Sequence, residues 1–200
     1  MTRPAFRVLA IASAMALAPS LAFAHTGVGA THGFVHGFMH PVTGLDHVLA
    51  MVTVGILAWQ MGGRAIWLLP LSFVSLMAVG GALGMSGFDL PYVETGIALS
   101  VVVLGAAVAM GVKAPLAFAM GLVGMFAVFH GHAHGAEMPE NAGGLSYGFG
   151  FMLGTALLHV SGLGLGFAIG RLGETSGRAF VRGAGAAISL AGVALLTGAL

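Results

Sequence analysis

Cysteine is absent from this 200-residue chain. That excludes disulfides, thiolate metal sites and cysteine nucleophiles, and leaves nitrogen and oxygen as metal donors, with methionine sulfur a weak addition. Charge is almost as scarce: Asp, Glu, Lys and Arg make up 6% of the residues, against roughly a quarter in a soluble domain. The formal net charge is +1, no basic cluster is present to bind phosphates, and no nucleic-acid partner is expected. What remains is apolar. Hydrophobic residues reach 58% and the mean hydropathy is +1.01. This composition indicates an all-α integral membrane protein with most of its mass in the lipid bilayer. Glycine is abundant, at 34 residues, without collagen periodicity. In a membrane protein that points to closely packed helices, and Gly-rich helix faces are also candidate surfaces for a homo-oligomer.

The chain begins like a signal peptide. Arg3 and Arg7 form a basic start, Val8 to Ala18 an apolar core too short to span, and Ala22-Phe23-Ala24 a small-x-small cleavage signal. The expected organisation is therefore a signal peptide over 1–24 and a single transmembrane helical domain over 25–200. A mature chain starting at His25 carries a free amine beside an imidazole, a pair able to chelate a divalent ion.

About six transmembrane helices follow, in a compact bundle. The first runs from the histidine-rich stretch Thr31 to Met51 on to Ala58, with Trp59 as an interfacial residue and Arg64 at its end. The second covers Ala65 to Phe88, the third Thr95 to Val112 and the fourth Pro115 to Phe129. A polar histidine loop is expected from His130 to about Gly144, a fifth span from Leu145 to Gly170, a charged loop from Arg171 to Arg182 and a sixth span from Gly183 to Leu200. With the mature N-terminus outside, the inner loops carry every Lys and Arg of the mature chain. The outer loops carry Asp89, Glu94, Glu137 and Glu140 and no cation. This obeys the positive-inside rule and predicts the bacterial inner membrane with a periplasmic N-terminus. It also brings the start of the first span and the His130 segment to the same face, although about 90 residues separate them.

Two clusters can carry chemistry. The first holds His32, His36, His40, Asp46 and His47, with Met51 one turn further on. On an unbroken helix His36, His40 and His47 share one face, within roughly 40° of each other. Pro41 and Gly44 argue for a break, with a helix starting near Pro41, since proline cannot donate its backbone bond. Broken helices recur at transporter ion sites. Asp46 is then either a direct ligand or an acceptor that orients His47. The second cluster is Phe129 to Glu137, FHGHAHGAE, with His130 and His134 four apart and His132 between them. Glu137 is either a ligand or part of an acidic mouth that concentrates cations. His159 lies alone inside the fifth span, either as an interhelical hydrogen-bonding group or as part of an ion pathway. Neutral imidazole with carboxylate suits Ni²⁺, Co²⁺, Cu²⁺ or Zn²⁺ and suits Mg²⁺ and Ca²⁺ poorly.

Together the two clusters resemble the HupE/UreJ family of nickel/cobalt permeases. The family's H-x5-D-H motif is matched by His40, Asp46 and His47, and its F-H-G-x-A-H-G-x-E motif by Phe129, His130, Gly131, Ala133, His134, Gly135 and Glu137. The resemblance covers essentially the whole chain. It implies uptake of Ni²⁺, or in some members Co²⁺, beside hydrogenase, urease or cobalamin systems. His36 and His132 fall outside the motif positions. The expected metal residues are thus His36, His40, Asp46, His47, His130, His134, Glu137 and His159, with the transported ion as cargo and no prosthetic group. No general base or substrate cleft can be named, so an enzyme is not expected. A non-transporting metal sensor or metallochaperone partner is the alternative class. Because histidine ligates only when neutral, uptake is expected to weaken below about pH 6.5, the ordinary imidazole value.

Overall fold

The computed structural model describes residues 33–138 and 143–200. The cleavage signal, His25, His32 and Glu140 lie outside these. Among the described residues there are seven helices and no strand: α1 (Gly33–Thr43), α2 (Leu45–Met61), α3 (Ala65–Met85), α4 (Val93–Met110), α5 (Leu116–Ala136), α6 (Gly143–Gly170) and α7 (Glu174–Leu196). The last five are each long and apolar enough to cross a bilayer, where the backbone must satisfy its own hydrogen bonds and a helix does so within one segment. Their outward faces carry Trp67, Leu71, Val79, Leu157, Val160 and Leu190, all exposed. These large apolar side chains are stable against acyl chains rather than water. The protein is an all-α, multi-pass membrane protein.

α1 and α2 form one broken span, bent by 79°. Both run in the same direction along α6. Gly150 meets the Phe34 and Phe38 backbone, Gly154 meets Phe38 and Pro41, Gly162 meets Val52, and Gly166 and Gly170 meet Trp59, so the two chains advance together. Trp59, expected at the interface, is half-buried against those last two glycines. The break is at Gly44 and not at Pro41. Pro41 is buried near the end of α1, while Gly44 is extended, with φ −81° and ψ 120°. A side chain at Gly44 would lie 2.9 Å from Asp46 Oδ1 and 3.1 Å from His47 Nδ1, so glycine leaves room for the Asp46–His47 pair to fold back over the break.

Two other boundaries differ from expectation. The His130 segment is not a loop. α5 continues to Ala136, which places His130, His132 and His134 on helix and makes the fourth span a full 21 residues. α7 begins at Glu174, so Arg178 and Arg182 are helical. Arg182 approaches Gly111 at the C-terminal end of α4, a favourable place for a cation.

Glycine sets the packing distance. A Cβ at Gly80 would strike the Val128 carbonyl, at Gly131 the Met77 carbonyl, and at Gly37 the Tyr147 carbonyl. Gly105 and Gly185 play the same part between α4 and α7. The ridges at Gly80/Gly84, Gly150/Gly154 and Gly162/Gly166/Gly170 are thus taken up inside the chain. Arg64, Lys113 and Arg171 mark one end of the bundle, and Asp89, Glu94 and Glu137 the other; all are exposed.

Candidate metal site

The site lies toward the acidic end, where the α1–α2 break faces α5 and α6. His40 sits in the last turn of α1, Asp46 and His47 in the first turn of α2, and His130 and His134 in the last turns of α5. Four imidazoles converge. Ring centroids are 4.4 Å apart for His40 and His134, 4.7 Å for His47 and His134, 4.8 Å for His47 and His130, and 6.0 Å for His40 and His47. His47, His130 and His134 are buried. Phe151 of α6 walls the cluster, 4.5 Å from His134 and 6.0 Å from His47.

The hydrogen bonds decide which nitrogens are available. The Asp46 carboxylate can only accept. Its Oδ1 takes both the backbone N–H and the Nδ1–H of His47, each at 2.8 Å. His47 therefore turns its Nε2 lone pair inward, and His134 Nε2, 2.6 Å away, donates to it. Asp46 orients His47 in the way that carboxylates orient metal-binding histidines. Of the two roles the sequence leaves open for Asp46, these bonds favour the orienting one. His130 follows similar logic. Ser100 Oγ donates to the Ile97 carbonyl at 2.6 Å and so accepts from His130 Nε2 at 3.0 Å. The lone pair of His130 is then on Nδ1, which is buried without a hydrogen-bond partner, as is His134 Nδ1.

Among the described residues no group of three or more histidine and acid side chains is set to hold one ion simultaneously. The nearest approach to ligand geometry is the His47–His134 pair. Two nitrogens bound to one ion at about 2.1 Å each sit roughly 3 to 3.4 Å apart, so the 2.6 Å pair has to open by less than an ångström. An ion taken between them displaces the shared proton.

The remaining expected residues are placed differently. His36 is exposed one turn above His40, 6.3 Å from its ring and 5.9 Å from Tyr147. Glu137 caps α5 and is exposed at the mouth. His159 is fully buried and lies outside the four-ring cluster, 5.1 Å from Phe73. His132 turns away from the cluster: its Nε2 donates to the Phe88 carbonyl at 2.6 Å, tying α5 to the α3–α4 loop. Met51 is a core residue. Sequence reasoning missed Ser100, Phe73 and Phe151. Ser100 had a usable signal, a lone hydroxyl inside the apolar run IALSVVV; the two phenylalanines had none that distinguishes them from lipid-facing aromatics.

A family profile described as HupE / UreJ protein matches residues 13–195. Protein HupE of Rhizobium leguminosarum bv. viciae is 50% identical over 186 residues, which is 93% of this chain and 95% of that protein. No solved structure gives a significant match. The motif histidines that carry the resemblance are the same ones the fold gathers around Asp46, and the chain belongs to the HupE/UreJ family.

Proposed function

We propose that this chain is a permease of the bacterial inner membrane that imports a divalent transition-metal ion, nickel foremost, for hydrogenase or urease maturation. The observation that carries the reading is the cluster of buried His47, His130 and His134 with half-buried His40 at the acidic end, with Asp46 orienting one ring and Ser100 another. Borderline nitrogen donors fit Ni²⁺ and Co²⁺. Family membership supports the same reading, and cobalt linked to cobalamin is its variant within the family. By the positive-inside rule the cationic end faces the cytoplasm, which makes the acidic end, with Glu94, Asp89 and Glu137, the periplasmic mouth. There the acids raise the local cation concentration.

The ion would exchange part of its water shell for imidazole nitrogens at the break, where the 79° bend aims helix ends and side chains into the bundle rather than along it. Few donors act at once, which favours release over trapping. An inside-negative potential favours inward movement of each charge by about 2.3 kcal/mol per 100 mV, so a uniport needs no nucleotide-binding element. No enzymatic activity is assigned.

The test is uptake of radioactive nickel by proteoliposomes of the purified full chain under an imposed inside-negative potential. Wild type should accumulate metal, and His47→Ala should do so much more slowly. Equal flux in the two would remove the site assignment, and no flux in either would remove the permease reading. Excess unlabelled cobalt in the same assay ranks the two ions.

A further inference from the structure

His159 follows Phe151, the wall of the cluster, by eight residues of α6, about 12 Å along the helix axis at 1.5 Å per residue. Its side chain is fully buried, and neither Nδ1 nor Nε2 has a hydrogen-bond partner. A neutral imidazole always carries one N–H and one lone pair. Here both are unmet, in a part of the protein where surrounding lipid can satisfy neither. A ring kept as an interhelical hydrogen-bonding group would show a partner; this one shows none.

Its placement supplies the second observation. The Phe73 ring lies between His159, at 5.1 Å, and His130, at 5.6 Å, and His130 Nδ1 is itself buried and unpartnered. From the mouth inward the rings run His40, His134, His47, His130, Phe73, His159. Successive centroids are 4.4, 4.7, 4.8, 5.6 and 5.1 Å apart. Between the two levels, Thr155 directs its hydroxyl at Met77 Sδ, 3.7 Å away, which adds a soft sulfur and an oxygen to an otherwise apolar step.

We infer that His159 is a second, inner metal station, separated by the Phe73 ring from the four-histidine cluster, and that a divalent transition ion passes from His130 to it. This inference rests on the permease reading. The outer cluster captures the ion and exchanges part of its water for imidazole; the inner station offers one imidazole, so the ion is held weakly there and leaves readily. Capture and passage are therefore carried by different residues, and their kinetic signatures separate.

The experiment compares wild type, His159→Leu and His159→Gln by nickel binding in detergent (equilibrium dialysis with the radioactive ion) and by flux in proteoliposomes. The expected result is outer-site affinity and half-saturation close to wild type in both variants, with maximal flux lowered about tenfold or more. Glutamine keeps similar bulk and hydrogen-bonding capacity without a ring-nitrogen lone pair. Wild-type flux in His159→Gln assigns His159 a structural role and overturns the inference. Loss of binding together with flux, in protein that remains monodisperse, merges His159 with the outer site and also overturns it. If His159→Leu fails to purify as a single species, the glutamine variant carries the comparison. Wild type that binds nickel without moving it defeats the permease reading instead.

Discussion

Replacing Asp46 tests the site where its geometry is most specific. Asp46→Ala removes the acceptor of two bonds, the backbone N–H and the Nδ1–H of His47, both at 2.8 Å. His47 loses the partner that holds its Nε2 toward His134, but remains a possible ligand. Losses of an orienting partner of this kind run about 10- to 100-fold in metal affinity or activity, or about 1.4 to 2.7 kcal/mol. Initial-rate nickel uptake over a range of concentrations should show half-saturation raised by that factor. Asp46→Asn should fall near the lower end, because the amide oxygen still accepts from Nδ1–H while the charge is lost. The decisive comparison is a double-mutant cycle. If Asp46 acts through His47, then Asp46→Ala adds nothing in a His47→Ala background. Additive losses would make Asp46 an independent ligand, and unchanged uptake in Asp46→Ala would refute the orienting role altogether.

Three further outcomes follow from the packing. Ser100→Ala leaves the buried His130 Nε2–H without its acceptor and should destabilise the protein by about 1 to 3 kcal/mol, visible as a lower melting midpoint in detergent that Ser100→Thr largely restores. Gly131→Ala drives a methyl group into the Met77 carbonyl and forces α3 from α5. It should cost about 1 to 3 kcal/mol or more and give a broadened size-exclusion profile, whereas Gly121→Ala, with nothing within 4 Å, should be neutral. His132→Ala should lower thermal stability by freeing the α3–α4 loop at Phe88 while leaving the half-saturation for nickel unchanged, unlike His40→Ala, which should raise it.

Much of this architecture was legible in the chain because membrane folding depends on local quantities. Apolar run length marked the spans, and charge asymmetry assigned the α1–α2 break and the His130 segment to one end of the bundle. Glycine abundance pointed to close helix contacts, though not to which glycines make them or that the Gly80/Gly84, Gly150/Gly154 and Gly162/Gly166/Gly170 ridges are consumed within one chain. Histidine content misled at α5. HGHAHGAE looks polar enough for a loop, yet His130 and His134 are buried and the helix carries them to Ala136. Tertiary contacts turn those rings inward, and local polarity does not register that. Proline misled at the break: Pro41 continues α1, and Gly44 ends it because the Asp46–His47 pair occupies the space a side chain would need.

By itself, then, the sequence determined that this is a helical membrane protein with its histidines and Asp46 gathered as candidate metal residues, and which end of the bundle they occupy. Only the tertiary structure decided what each donor does. Asp46 faces a nitrogen of His47, His132 faces the Phe88 carbonyl, and His130 turns one nitrogen to Ser100 and leaves the other bare. An imidazole has two nitrogens with opposite roles, and which of them remains free is set by where the fold puts its partner: beside the Gly44 break for His47, on α4 for His130 and in the α3–α4 loop for His132.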